Sequence, residues 1–116
     1  MSESSGIFTF PSTGIYLIQY NVMANATSAG DIRYAGGVIK ITTNNSSYNG
    51  VSEAWNGNNN HGLPYYFSSH RQFIFDVTDT STHKVKFEVA ASATVNFLGD
   101  SGSNHTHMTF IRLGDT

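Results

Sequence analysis

Apolar and polar residues alternate with period two over long reaches of this chain. No window of a dozen residues repeats at the i, i+3, i+4, i+7 spacing of an amphipathic helix. The strongest strand signal lies at residues 14–23, where Tyr16, Ile18, Tyr20 and Val22 share one face, because successive side chains of a strand point to opposite sides. Aromatic and β-branched residues fit a pleated, packed surface, so this reads as a central strand. Its other face starts apolar at Ile15 and Leu17 and turns polar at Gln19 and Asn21. One side is therefore expected in the core, and the other is expected to be partly covered by a second surface, such as another subunit. Pro11, Ser12, Thr13 and Gly14 read as the turn that feeds it.

The rest of the chain reads as further short strands. Residues 6–10 place Phe8 and Phe10 on one face, and residues 24–31 are small and polar, as in a loop. Residues 32–42 read as a strand interrupted at Gly36-Gly37 by a bulge or a close backbone approach. Residues 43–62 are rich in Asn, Ser and Gly and read as two loops around a short strand near Val51, Ala54 and Trp55, with turns at Asn49-Gly50 and Asn56-Gly57. A strand at 65–68 runs or bends into a better one at 72–77, where only Ile74 breaks the alternation. Residues 83–90 turn His83, Val85, Phe87 and Val89 one way and Lys84, Lys86 and Glu88 the other. Residues 93–98 carry Val95 and Phe97 in phase, and residues 105–113 close the chain. About eight strands with polar turns predict an all-β antiparallel sandwich or jelly roll.

A chain of 116 residues fits one domain, with residues 1–5 expected as a flexible arm and residues 6–116 as the folded unit. The net charge of −2 and the absence of a Lys/Arg cluster argue against a nucleic-acid partner. No apolar run approaches the ~18 residues that would cross a membrane as a helix, and no export signal is read at the start. Without cysteine, neither disulfides nor thiolates can hold the fold, so packing and assembly must.

Two segments together resemble the jelly-roll domains of the complement-head and tumour necrosis factor (TNF) superfamily. Residues 6–22, Gly6-Ile7-Phe8-Thr9-Phe10-Pro11-Ser12-Thr13-Gly14-Ile15-Tyr16-Leu17-Ile18-Gln19-Tyr20-Asn21-Val22, are similar to the family's F-x-x-P-x-x-G-x-Y-x-F run. The closing His107-Met108-Thr109-Phe110-Ile111-Arg112-Leu113 is similar to its terminal strand. Phe110 stands where the family often has glycine, and the family's first strands have almost no room here. This implies either a minimal version of the fold or an edge completed by another chain. The resemblance implies a compact homotrimer about a threefold axis and no enzymatic activity.

On that view the axis and interface residues are Ile15, Leu17, His105, His107, Thr109, Ile111 and Leu113. His105 and His107, two apart on a strand, would turn both imidazoles to one face. At a threefold axis they could gather a transition metal, or simply make a polar contact without one; no other cofactor is expected. His61, His70 and His83 sit in no ligand spacing, and Asp76, Asp79 and Asp100 read as turn formers because no D-x-D-x-D-G loop surrounds them. Tyr48, Trp55, Tyr65 and Tyr66, amid the asparagines, form a candidate ligand surface for sugar or protein. The other reading puts Trp55 inside the end of the sandwich. No G-x-S-x-G, H-E-x-x-H or glycine-rich phosphate loop is present.

A chain with no cysteine, few charges and many Ser, Thr, Asn and Gly residues, read without a stalk or anchor, is expected to be a bacteriophage virion protein assembled in the host cytoplasm. The leading expectation is a trimeric capsid decoration or cement protein bound to shell subunits at local threefold positions. The alternatives are the receptor-binding head of a tail fibre that recognises host glycan, and a secreted TNF-like recognition domain.

Overall fold

The thirteen-residue strand β3 (Gly14–Ala26) is the spine of one of two sheets in a computed structural model that describes residues 1–28, 30–59 and 62–116. Ala29, Asn60 and His61, which fall in two of the expected loop regions, lie outside the described residues. Along β3 the burial alternates as the composition demands. Tyr16, Ile18, Tyr20 and Val22 are buried, and Ile15, Leu17, Gln19 and Asn21 are half-covered. Each fully buried side chain of this size contributes about 1.5–3 kcal/mol. Gly14 starts the strand at φ +143°, and a Cβ there would lie 2.6 Å from both Arg112 Nε and the Gly114 carbonyl oxygen. The turn ahead of it is tied back by the Tyr16 hydroxyl, which donates to the Ser12 carbonyl at 3.0 Å.

Eight other strands complete the fold among the described residues: β1 (Ser2–Ser4), β2 (Ile7–Thr9), β4 (Ile32–Thr42), β5 (Asn49–Asn58), β6 (Tyr65–Val77), β7 (Lys84–Ala91), β8 (Asn96–Phe97) and β9 (His107–Gly114). All pairings are antiparallel, and there is no helix among the described residues. One sheet runs β1-β2-β7-β4-β5. In the other, β6 covers one edge of β3 from end to end, while β9 and then β8 share its opposite edge. The pairings are nested: β4 with β5, outside them β3 with β6, and outside those β2 with β7, alternating between the sheets.

The two sheets face each other across an apolar interior, so the molecule is an all-β antiparallel sandwich. Its main cluster joins Phe10, Tyr16, Ile18, Tyr20, Val22, Ile39, Phe75, Val77 and Val85, drawn from both sheets. Aromatic rings cross the gap at preferred spacings, with Tyr20 4.8 Å from Phe87 and Phe8 5.5 Å from Phe110. A smaller cluster of Ala26, Ile32 and Ala35 lies toward the other end of the sandwich, against Tyr65 and Phe67. Between the clusters β6 contributes Ser69 and Arg71 instead of apolar residues, opposite Gly36 and Gly37 of β4.

The structure differs from the sequence reading at several places. Ser2–Ser4 is an exposed edge strand paired with β2 rather than a free arm. The irregularities of β4 fall between Ile32 and Ala35 and between Ile39 and Lys40, not at Gly36-Gly37. At Gly37 close approach is the reason for glycine: a Cβ there would overlap Arg71 Nη1 and lie 2.8 Å from Tyr20 Cε1. Asn49-Gly50 and Asn56-Gly57 belong to the ten-residue β5 rather than to turns. Gly50 takes part in the register shift opposite Lys40, and a Cβ on Gly57 would lie 2.7 Å from the Arg33 carbonyl oxygen. Val89 is exposed although it is in phase with buried Val85, and the strand expected at 93–98 shrinks to Asn96–Phe97.

Candidate functional site

Cross-strand partners project from the same face of a sheet, so the register of β6, β3 and β9 defines rows of side chains on the outward face. Leu17 lies between Ile74 of β6 and Ile111 of β9, Gln19 between Gln72 and Thr109, and Asn21 between His70 and His107. The first row is apolar across three adjacent strands, with Ile74 61% and Ile111 44% exposed. Leu113, 54% exposed, sits at the register shift where β9 leaves β3, and Ile15 pairs with Asp76 and Gly114 beside it. Ile15, Leu17, His107, Thr109 and Ile111, expected together from β3 and β9 alone, are therefore neighbours on one face.

Sequence reasoning missed the contribution of β6: Ile74, Gln72 and His70. The signal was present, since Ile74 is the one residue that breaks the alternation of an otherwise polar strand face. Its meaning needed the register that sets it beside Leu17.

His105 is a correction. β9 begins at His107, and His105 lies in the preceding bend, where its carbonyl oxygen accepts a 2.7 Å hydrogen bond from Asn21 Nδ2. The two imidazoles therefore do not share a strand face, because the chain turns before the pairing starts. Thr106 makes that turn: its Oγ1 accepts from the Met23 amide at 3.1 Å, and its own amide donates to the Leu98 carbonyl at 3.0 Å. His107 Nδ1 is buried without a hydrogen-bond partner. Among the described residues no group of three or more His, Asp or Glu side chains is placed to hold a metal ion within one protomer.

The candidate ligand surface is also rearranged. Tyr48, Trp55, Tyr65 and Tyr66 do not converge. The Tyr48 ring takes Lys86 Nζ 4.8 Å from its centroid, and Tyr65 packs into the smaller core cluster beside Phe67. Tyr66 is exposed on β6. Trp55 does not fill the end of the sandwich. It is exposed and meets Tyr34 of β4 edge to face, ring centres 5.5 Å apart at 80°. With Ala90 these rings line an open groove of about 460 Å³. Tyr34 carries no local signal of this role, because only the pairing of β4 with β5 brings it within reach of Trp55.

Electrostatics on this second sheet are local. Lys40 and Lys86 hold Glu88 at 2.6 and 3.0 Å, and their hydrogen bonds lower the Glu88 pKa below the usual carboxylate range. Asp79 and Asp100 act as turn formers: Asp79 accepts from the Ser81 amide and hydroxyl, Asp100 from the Gly102 and Ser103 amides, and both carboxyls are held low by those bonds. Asp76, by contrast, lies within β6. His83 stacks on Phe75 with ring centres 5.5 Å apart. What the two outward faces offer chemically is burial on one and aromatic stacking on the other.

No protein-family model matches this chain, and no match is found among curated proteins.

Proposed function

We propose that this protein is a non-enzymatic structural component of a bacteriophage particle: a homotrimer of jelly-roll domains that decorates the outer shell at local threefold positions and stabilises it. The observation that carries the proposal is the apolar row of half-covered Leu17 and exposed Ile74 and Ile111, continued by Leu113, across three neighbouring strands. A sheet face of this kind gains free energy by leaving water, and association is how a small domain achieves that. The nested, sheet-alternating order of the hairpin pairs supports the jelly-roll reading, since that topology is a long antiparallel hairpin wrapped around a sandwich. Three copies meeting through one face leave their opposite sheets outward, free to bridge shell subunits.

The test compares phage shells assembled with and without the protein for resistance to heat. Shells that rupture earlier without it, and recover when wild-type protein is added back, are the expected result. Equal rupture temperatures reject the decoration role. Light scattering tests the trimer separately.

The Tyr34–Trp55 groove favours a second reading, the head of a tail fibre that stacks a host sugar on Trp55. Glycan-array binding that vanishes on Trp55→Ala would favour the fibre head over the decoration role.

A further inference from the structure

The nested pairing leaves one position open. Proceeding outward from β4–β5 through β3–β6 to β2–β7, the next pair belongs to the sheet of β3 and would include β9. Among the described residues β9 pairs only with β3, along one edge, and the strand ahead of β2 in sequence, β1, pairs with β2 in the opposite sheet. The consequence is visible in the burial of β9: none of its residues is fully buried. Met108 is 39% exposed although its cross-strand partner Tyr20 lies in the core, because the sheet stops beside it. Phe110 reaches Phe8, Phe10 and Phe87 but is only half-covered.

An occupant of this edge must run antiparallel to β9, present apolar residues to the core side at alternate positions and carry no charge in the paired stretch. β9 itself meets all three demands. A two-fold axis makes two copies antiparallel, Met108 and Phe110 alternate on the core side, and residues 107–111 contain no Lys, Arg, Asp or Glu. Edge strands that are meant to stay single are commonly blunted by Lys, Pro or a bulge. In β9 such features, Arg112 and the register shift at Leu113, come only after this stretch.

We infer that β9 is a docking edge for β9 of a second copy, paired antiparallel about Thr109, so that the β6-β3-β9 layers of the two copies fuse into one continuous sheet. In this register Met108 lies beside Phe110 of the second copy, twice over, which covers both half-exposed core residues. Ile111 lies beside His107 of the second copy, so the apolar row ends at the seam. Main-chain hydrogen bonds supply the affinity, and the Met108–Phe110 pairs set the register. The contact is separate from the outer face invoked for the trimer.

Thr109→Cys tests the register, because the chain has no cysteine of its own. Directly opposed residues of an antiparallel pair have Cα atoms about 4.5–5.5 Å apart, within the disulfide range of about 4.4–6.8 Å. Mild oxidation of Thr109→Cys should give a covalent dimer, whereas Ser46→Cys, in an exposed bend, should not. Sedimentation of the wild type should return a mass that is a multiple of two protomers. Met108→Glu should weaken that association at least tenfold while the circular dichroism spectrum keeps its β signature. A monomer, a bare trimer, or cross-linking of Thr109→Cys no better than Ser46→Cys overturns the inference. A bare trimer would leave the proposed function standing, whereas an even-numbered assembly that does not protect shells would overturn the decoration role alone.

Discussion

The Arg71 guanidinium lies 4.7 Å from the centre of the Tyr20 ring inside the sandwich, with Arg71 only 4% exposed and no carboxylate beside it among the described residues. Nη2 donates to the Ser69 carbonyl at 2.7 Å and to the Ser69 hydroxyl, while Nε and Nη1 are buried without partners. Burial lowers the Arg71 pKa and raises that of Tyr20, each partly offset by their mutual interaction. A cation–π contact and one hydrogen-bonded nitrogen do not match the cost of removing a guanidinium from water.

Arg71→Met should therefore leave the protein as stable as wild type or raise its stability by about 1–3 kcal/mol, because an apolar chain of similar length removes the unpaired donors. Urea unfolding measures this. A loss above about 1 kcal/mol would mean that the polar belt stabilises the sandwich.

Gly37→Ala should cost about 1–3 kcal/mol by overpacking, since its Cβ would overlap Arg71 Nη1 and lie 2.7 Å from the Glu88 carbonyl oxygen. Combining it with Arg71→Met should recover part of that cost, because the two sites touch and their effects cannot add. The Glu88 carbonyl clash stays in place, so recovery should be incomplete. Strict additivity in the double-mutant cycle would contradict the packing described.

Ile74→Asp should change the unfolding free energy of the isolated domain by no more than about 0.5 kcal/mol, since the side chain is 61% exposed. Assembly should respond instead: light scattering should show a lower mass than that of wild type at the same concentration. Unchanged assembly would remove the outer face from consideration.

Glu88 should lend acid-sensitive stability. Its folded pKa lies below the ordinary 4.5, so its ion pairs with Lys40 and Lys86 contribute fully above that value and fade as the pH falls through the folded pKa. The side chain is 41% exposed, which limits the effect to about 0.2–1 kcal/mol. Glu88→Gln should lose that amount at pH 7 and match wild type in strong acid. A difference that persists at low pH would assign the effect to packing.

Trp55 is the single tryptophan, so its fluorescence reports on the groove it forms with Tyr34. A saccharide that stacks there should shift the emission of wild type, and Tyr34→Ala should abolish the shift. No change across a panel of host-surface sugars would set the fibre-head reading aside.

Much of the fold was legible because strand alternation is local. The faces of β3, the apolar phase of Val85 and Phe87, and the turns at Asp79 and Asp100 follow from neighbours a few residues apart. Glycine was ambiguous for the same reason: in residues 49–57 Asn-Gly looks like a turn, yet β5 continues through both pairs, with a register shift at Gly50, because β4 offers it a ladder. Of the candidate surfaces, the halves contributed by β3 and β9 could be read, while Ile74 and Tyr34 could not. Their importance comes from partners on strands more than 20 positions away.

The amino-acid sequence alone determined that this chain makes antiparallel strands with a greasy side and a wet side, because side-chain direction along a strand depends only on position parity. Tertiary structure decided which strands lie side by side, and therefore that Leu17, Ile74 and Ile111 form one row, that Trp55 meets Tyr34, and that Arg71 fills the space left at Gly37. Register couples residues far apart in the chain, and no local pattern of hydrophobicity specifies it.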